Sequence, residues 1–295
     1  MIDKFVYHFT KDNEPARKVK IGDEVEFKTL DCFSNQITSE DQLIDSIDFD
    51  RVNPATGPVY VEGAEEGDVL VVDILDIEIN DTGVASTMEG TGPLYNEGDD
   101  LRTKLIPIKD GNVIFNDIEF PANPMVGVIG VAPKEGKITN GFPGAHGGNM
   151  DCNKIVKNSR LYFPVSVAGA LFQLGDLHAS MGDGELSGVG LEIGGKVKVK
   201  FDLIKDFELN WPVLETEDMW YVIASDDNIE TAIKHASKEM QALICNAYNW
   251  DMQDVYIYMS IRGSLEICQA CKPSSFPVVI RSGIAKDNSK PALIR

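Results

Sequence analysis

The segment GDLHASMGDGE holds four side chains whose types and spacing could bind a metal ion. Asp176 and His178 are two residues apart, and Asp183 and Glu185 repeat this spacing after a glycine-bounded turn. Residues i and i+2 of an extended chain point to the same face, so each pair would aim at one point. Imidazole and carboxylate groups are ligands of divalent metals. The pattern predicts a metal site, with a polar hairpin tip as the alternative.

A second polar segment, GFPGAHGGNMDCNKI, carries His146, Asn149 and Asp151 among four glycines. Glycine lets the backbone bend sharply but contributes no side chain to a core, so the segment is a loop or brings polar groups together. The chain has only four histidines, and two of them, His146 and His178, fall in these two clusters. We therefore predict that both segments form one site. Cys152 could act as a nucleophile, but no strong base neighbours it in sequence, which favours a buried thiol.

A third candidate comes from a weak internal similarity between GDEVEFKTLD and GDVLVVDILD. Both read as a Gly-Asp turn followed by a strand and Leu-Asp, and two similar sheet strands explain them. Asp31 then enters a polar loop, CFSNQI, whereas Asp76 continues into more strand sequence. Asp31 is therefore the better candidate for a site residue.

The elements that must position these residues are mostly β-strands. Alternation of apolar and polar residues predicts strands bounded by Gly, Pro, Asn and Asp. The segments concerned are DEVEFKTLD, DVLVVDILDIEI, NVIFNDIEF, KVKVKFDLI and SFPVVIRSGI. KVKVKF would have one wet face and one buried face, as in an antiparallel sheet.

Helices are predicted only near the end of the chain. The segment 228–248 has one apolar stripe, with a capping-box-like start at Asp227 and Glu230. A second helix is expected from Asp251 to about Met259. We therefore predict a mainly β protein. Residues 1–225 would form a β-rich sandwich region carrying most of the site, and residues 226–295 an α+β part packed on it.

Composition limits the partners and the compartment. The 295 residues include 47 acidic and 27 basic side chains, a net charge of −20, with 43% hydrophobic residues. This excess argues against nucleic acid and anionic membranes as partners. The sequence shows no signal-peptide pattern and no apolar run of about 18 residues. Five cysteines, including one lone C-x-x-C, are typical of free thiols, so we expect a cytoplasmic protein.

Two familiar catalytic or phosphate-binding motifs are absent from the sequence. No G-x-S-x-G elbow occurs, which argues against an α/β-hydrolase. GLEIGGKV nearly matches a phosphate-binding loop, but Val197 replaces the required Ser or Thr. A strand rather than a helix follows, so we reject this motif.

Three segments together resemble the acetamidase/formamidase family, and the resemblance runs through nearly the whole chain. They are GGNMDCNKI, LYFPVSVAGALFQLGDLHASMGDGE and SIRGSLEICQACKP. The resemblance implies a metal-dependent amidase that cleaves formamide or acetamide to a carboxylate and ammonia. It also implies a jelly-roll-like β-sandwich core with additional small β and α+β parts.

The resemblance and the two clusters together give an expected site. The expected metal ligands are Asp31, Asp151, Asp176 and His178. The expected catalytic residues are Glu185 as proton shuttle, Asp183 to orient it, and His146 as ligand or oxyanion donor. The expected substrate-binding residues are Gly147, Gly148 and Asn149, whose backbone N–H groups could bind an oxyanion.

The metal and the function each keep an alternative. We expect zinc, because calcium rarely accepts nitrogen ligands, yet the many carboxylates also suit calcium. A non-catalytic jelly-roll module binding calcium and a small ligand, or a thiol amidase using Cys152, remain as other interpretations. As partners we expect a small amide and further copies of the chain, in a homodimer or higher homo-oligomer.

Overall fold

The computed structural model describes residues 1–95 and 101–295, which form 21 strands and two α-helices. In chain order the strands are β1 (Phe5–Val6), β2 (His8–Phe9), β3 (Arg17–Val19), β4 (Glu24–Thr29), β5 (Ala55–Val61), β6 (Val69–Ile79), β7 (Thr82–Ser86), β8 (Thr103–Lys109), β9 (Asn112–Phe115), β10 (Ile118–Pro121), β11 (Met125–Gly130), β12 (Ile138–Thr139), β13 (Gly147–Asn149), β14 (Arg160–Pro164), β15 (Phe172–His178), β16 (Glu192–Ile193), β17 (Gly195–Ile204), β18 (Val213–Glu215), β19 (Met219–Asp226), β20 (Ser264–Gln269) and β21 (Val278–Ala285). The helices are α1 (Ile229–Tyr248) and α2 (Met252–Arg262).

Two large sheets make up most of the fold, and the mainly β prediction is confirmed. One sheet has eight strands in the order β20-β21-β19-β18-β14-β6-β17-β4. The other has eleven strands and follows the order β1-β5-β15-β16-β7-β8-β9-β10. In that sheet β11 pairs with β13 and β15, and β3 pairs with β5. The short strands β2 and β12 pair with each other.

The two sheets pack face to face around aromatic side chains. Phe172 of the eleven-stranded sheet lies between Phe27 and Phe201 of the eight-stranded sheet, at ring-centroid distances of 5.8 and 5.1 Å. In β17 buried and exposed residues alternate strictly from Gly195 to Asp202, because one face of the strand meets this core. A β-sandwich core follows from this packing.

Helix α1 covers the other face of the eight-stranded sheet. In β6, Leu70 and Val72 belong to the core between the sheets, while Val69 and Val71 belong to a second core that includes α1. The helix begins one residue later than predicted, because Asn228 rather than Asp227 caps it by accepting from the Thr231 N–H at 3.0 Å. Residues with cap chemistry stand at both positions, so the sequence pattern alone does not fix this start.

The chain after α2 returns to the eight-stranded sheet. Strand β21 pairs with β19 from Met219↔Ala285 to Asp226↔Val278, so residues 226–295 add two strands to a sheet built mainly by residues 1–225. NVIFNDIEF forms the hairpin β9–β10 rather than one strand. Within the described residues, no helix has both the length and the apolar character needed to cross a membrane.

Candidate active site

Strand β15 places Asp176 and His178 in the middle of the eleven-stranded sheet. All seven residues of this strand are buried, and it pairs with β5, β11 and β16. Asp176 has a left-handed backbone (φ 57°), so the strand is not regularly extended there. Gly127 leaves the space that the carboxylates need: a Cβ on it would lie 2.5 Å from Asp151 Oδ1 and 2.6 Å from Asp176 Oδ2. The two predicted segments therefore meet at one point.

Gln269 on β20 joins the two clusters by a pair of hydrogen bonds that the sequence did not reveal. Its Nε2 donates to Asp151 Oδ2 at 2.6 Å and to Glu185 Oε2 at 2.8 Å. The backbone reinforces this contact, because the Gly184 N–H donates to Cys268 O and the Ala270 N–H donates to Gly184 O. One buried amide group therefore fixes two carboxylates that lie far apart in sequence.

Glu192 is the main site residue that the sequence analysis missed. It faces His178 across the β15–β16 pair, and its Oε1 lies 3.1 Å from His178 Nε2. The same oxygen accepts the Gly190 N–H at 2.9 Å. Glu192 lies within GLEIGGKV, which the sequence suggested only as a rejected phosphate loop. Its place beside His178 depends on strand register, which no local spacing encodes.

Two groups of buried side chains could each hold a cation. Within each group, the ligand atoms all lie within 4.8 Å of one another. The groups are Asp151, His178 and Glu185, and Cys32, Asp176 and Glu192. They adjoin, because His178 Nε2 lies 3.7 Å from Asp176 Oδ1 and 3.8 Å from Asp151 Oδ1.

Unsatisfied polar atoms support a cation here. Four buried atoms of these side chains find no hydrogen-bond partner among residues 1–95 and 101–295: Asp151 Oδ1, Asp176 Oδ1, His178 Nδ1 and Glu192 Oε2. Buried polar atoms are normally paired, and buried charges are normally neutralised or bound to metal. The donor set of carboxylates, one imidazole and one thiol fits a divalent metal of the zinc type.

The protonation states of the site show how strongly its negative charges interact. Burial, followed by the charges of Glu185 and Asp176, raises the pKa of Asp151 well above its ordinary value. Burial raises the pKa of Glu185 to about 6 and that of Glu192 to about 8. Burial alone would lower the pKa of His178, but the Glu192 and Asp176 carboxylates raise it well above its ordinary value. A bound cation would favour the charged carboxylates instead.

Asp31 lies at the edge of this cluster. Its side chain is buried, and its Oδ1 accepts the Asn35 N–H at 2.7 Å. Burial raises its pKa, and the charge of Asp176 adds to the increase. Neither group of close ligand atoms includes Asp31, so its role as a ligand stays a prediction.

His146 lies on the tight turn before β13, and neither group of close ligand atoms includes it. Its ring packs edge-on against Phe9 at a centroid distance of 4.8 Å. Burial lowers the pKa of His146 to about 4, so the imidazole is neutral. Its buried Nε2 has no hydrogen-bond partner in the described parts of the chain. The structure therefore brings Asp151 and His178 together and leaves His146 beside Phe9.

Asp183 and Glu185 do not share a face, because the extended arm expected for them is not formed. Residues 179–191, all of them described, contain only an isolated bridge at Gly184, and Glu185 has a left-handed backbone (φ 44°). Glu185 points inward and is buried, whereas half of the Asp183 side chain is exposed. Asp183 pairs with Arg281 at 2.9 Å. If Asp183 orients Glu185, as expected from the sequence, it would do so through the backbone of this turn and not by direct contact between the two side chains.

The residues proposed to bind substrate form β13, which pairs with Val128–Gly130 of β11. Gly147 donates its N–H to Gly144 O at 3.0 Å, so this group is not free for an oxyanion. Gly147 and Gly148 have positive φ angles of 94° and 81°, which explains the choice of glycine. Asn149 is buried, and its Oδ1 finds no hydrogen-bond partner in the described residues.

Cys152 follows the site in sequence but faces a different neighbour. The thiols of Cys152 and Cys268 each lie 3.8 Å from Nη1 of the fully buried Arg281. Burial raises the pKa of Cys152, but the Cys268 thiol and the Arg281 charge outweigh burial and lower it to about 7. This thiol is therefore acidic, yet it is inaccessible to solvent.

Comparison with known proteins agrees with the resemblance seen in the sequence. The family model described as the acetamidase/formamidase family matches residues 4–140 and 138–262. The formamidase of Methylophilus methylotrophus is 30% identical over 249 residues, covering 64% of this chain and 61% of that protein. The chain thus spans about three fifths of the length of that relative.

Several solved structures match nearly the whole chain, and two of them share more than 40% sequence identity with it. The acetamidase from Bacillus halodurans superimposes with a TM-score of 0.92 at 41% identity, covering 95% of each chain. A predicted acetamidase/formamidase from Thermoanaerobacter tengcongensis superimposes with a TM-score of 0.91 at 45% identity, covering 95% of this chain and 93% of that one.

Proposed function

The chain belongs to the acetamidase/formamidase family, and from this premise we propose that it is a metal-dependent amidohydrolase for small aliphatic amides such as formamide or acetamide. The observation that supports this proposal is the buried cluster of Asp151, Asp176, His178, Glu185 and Glu192. These are the residue types that metal-assisted hydrolysis requires. Glu185 also lines a cavity beside this cluster.

The reaction needs a nucleophile, an electrophile and a proton for the leaving group. Water adds its oxygen to the carbonyl carbon, the C–N bond breaks, and the nitrogen leaves as ammonia after gaining one proton from that water. The other water proton stays with the carboxylic acid until that acid ionises. Amide nitrogen is a poor leaving group until it is protonated. The chain must therefore supply a group that accepts a proton from water and returns it to nitrogen.

We propose that four residues would hold a divalent metal: Asp151, Asp176, His178 and Glu192, with Asp31 beside them. Such an ion lowers the pKa of water to about 7 and polarises a carbonyl group. We propose zinc, because the set includes the His178 imidazole and the Cys32 thiol lies within 4.8 Å of the Asp176 and Glu192 ligand atoms, with calcium as the alternative.

Glu185 is the proposed proton shuttle. Its pKa of about 6 lies close to neutrality, as a group that both accepts and donates a proton requires. Gln269 donates to Glu185 Oε2, which leaves the other carboxylate oxygen for the proton. Gln269 also donates to Asp151, so it holds the shuttle in a fixed position relative to a ligand.

Removal of the metal should abolish hydrolysis. We expect verified metal-free protein to release no ammonia from formamide or acetamide above background, and zinc to restore the release. Ammonia is measured before chelation, after chelation and after addition of each candidate ion, with elemental analysis of the same samples. Undiminished turnover by metal-free protein would contradict the metal mechanism.

Cys152 provides the test between metal and thiol catalysis. We expect Cys152→Ser to keep most of the wild-type activity, because the residues that line the cavity beside Glu185 do not include Cys152. Ammonia release and metal content are measured on the same sample, with Cys268→Ser as the matched variant, because the Cys268 thiol also lies 3.8 Å from Arg281 Nη1. Loss of turnover in folded, metal-loaded Cys152→Ser alone would support a thiol nucleophile.

The proposal includes a cytoplasmic location and a homodimer or higher homo-oligomer. All five cysteines are free, which is consistent with a reducing compartment. Several apolar side chains of α2 are exposed, including Tyr256, Ile257 and Ile261, and such a surface suits contact between copies.

A further inference from the structure

A cavity of about 410 Å³ opens beside Glu185, and most of its accessible lining is apolar. One wall comes from the hairpin β9–β10, which contributes Val113, Phe115 and Phe120. The opposite wall comes from the segment 180–191, which includes Met181 and Leu186. Pockets for small organic ligands have volumes of about 300–1,000 Å³, so this cavity is in the range of a bound substrate.

The cavity reaches the candidate site only at Glu185, and none of the expected metal ligands lines it. Glu185 and Gly190 both line it. A Cβ on Gly190 would lie 2.7 Å from His178 Cγ, so Gly190 separates the cavity from the His178 ring by backbone alone. A molecule in the cavity would therefore have one end at Glu185 and the remainder between the apolar walls.

Formamide and acetamide would leave these walls uncovered. Formamide carries no carbon on its carbonyl group, and acetamide carries a single methyl group. The walls nevertheless expose apolar surface, since Phe115, Phe120 and Leu186 have exposed fractions of 38%, 37% and 60%. Covering such surface with an alkyl chain is favourable in proportion to the area removed from water.

We infer that the cavity binds the acyl chain of the substrate, so that primary amides with a longer linear alkyl chain are better substrates than acetamide. This inference rests on the proposed amidohydrolase function. The amide group would lie at Glu185, and the alkyl chain would extend between the β9–β10 hairpin and the segment 180–191. The bond that breaks is unchanged: the carbonyl C–N bond, with water as co-reactant and ammonia as product.

The test compares formamide, acetamide, butanamide and hexanamide with the metal-loaded protein. We expect kcat/KM to rise about fourfold for each methylene added after acetamide, because each becomes buried against the walls. A series that is flat, or that falls after acetamide, would overturn the inference while leaving the amidohydrolase function in place.

Three variants connect the effect to the cavity. Gly182→Leu should fill it, because Gly182 lines the cavity, its backbone is outside the left-handed region, and an added Cβ meets nothing within 4 Å. Phe120→Ser removes one wall. For both we expect the hexanamide-to-formamide ratio of kcat/KM to fall about tenfold or more. Ile118→Ser is the control: it lies on the same hairpin, is 60% exposed and does not line the cavity, so the ratio should not change.

Binding separates this inference from the proposed function. If no amide is hydrolysed, the amidohydrolase proposal fails, and titration calorimetry with hexanamide then decides about the cavity. Hexanamide binding that is tighter than acetamide binding and weakened by Gly182→Leu would support an alkyl-chain pocket. Equal binding of the two amides, or binding unaffected by Gly182→Leu and Phe120→Ser, would overturn it.

Discussion

Glu185→Gln should lower kcat by about 10²–10⁴-fold while the metal content stays near that of the wild type. The substitution keeps the shape of the side chain and its ability to accept from Gln269 Nε2, which now donates at 2.8 Å. It removes only the ability to take up and return a proton. Because Glu185 is buried and has a pKa of about 6, its loss affects the proton transfer rather than a surface charge.

Steady-state kinetics and elemental analysis of one sample test this prediction. The pH profile adds a second signature. A general base must be deprotonated, so wild-type kcat/KM should fall along an acidic limb as Glu185 becomes protonated. The pKa of Glu185 is about 6 without metal, and a bound cation moves this limb to lower pH. That acidic limb should be absent in Glu185→Gln. Glu239→Gln is the matched control, because Glu239 is also buried but lies on α1 and accepts from Asn210.

Two other results would change the role of Glu185. Nearly normal kcat in Glu185→Gln would make Glu185 a structural residue of a surface turn. Loss of metal together with activity would place it among the ligands, which its position within 4.8 Å of Asp151 and His178 ligand atoms also permits. Steady-state kinetics and elemental analysis of the same sample together distinguish these outcomes.

The fold was predictable from sequence where the pattern is local. The alternation in KVKVKFDLI predicts the strand β17, and the apolar stripe of 228–248 predicts α1. The NVIFNDIEF segment was misread as one strand because its turn, Asn116 and Asp117, has only two residues and apolar residues continue directly on both sides of it. Which strands become neighbours was not predictable, since register depends on contacts between distant segments.

The candidate site was predictable where several ligand-type residues share one segment. Asp176, His178 and Glu185 stand together in sequence, flanked by glycines, and they also meet in space. Glu192 and Gln269 each stand alone in strands that look structural, and only the pairing of β16 and the bridge of Gly184 to Gln269 bring them in. Asp183 was misplaced because the left-handed backbone at Glu185 interrupts the assumed extended arm.

The metal-free protein should lose stability as the pH rises from 5 to 8. A carboxyl group whose pKa is raised on folding contributes stability below its unfolded pKa, and this contribution is lost as the pH rises through the folded pKa. For Glu185 the window runs from its ordinary 4.5 to about 6, and for Glu192 from 4.5 to about 8. The pKa of His178 is also raised on folding, so its contribution to stability likewise decreases as the pH rises above its ordinary pKa of 6.5.

Surface carboxylates do not cancel this trend. Those with a lowered pKa, such as Glu24, Asp76 and Asp287, lose their contribution only as the pH falls below about 4.5. Two buried groups oppose the trend, because the pKa of His146 is lowered to about 4 and that of Cys152 to about 7. The raised pKa values of Asp151, His178 and Glu192 outweigh them between pH 5 and 8. Because one pKa unit corresponds to about 1.4 kcal/mol, the expected loss is on the order of a few kcal/mol.

A divalent metal should reverse this loss of stability with rising pH. Glu192→Gln should separate the cost of ionising a buried carboxyl group from the stabilisation that bound metal provides. Metal requires deprotonated ligands, so the gain in Tm on adding zinc should grow from pH 5 to 8. Glu192→Gln removes one group that resists ionisation, so metal-free Glu192→Gln should be more stable than the metal-free wild type at pH 8. It also removes a ligand, so it should gain less from zinc. Thermal unfolding with and without zinc at each pH measures both effects. A Tm of the metal-free wild type that is constant or rises from pH 5 to 8 would show that these carboxylates are not held together without a cation.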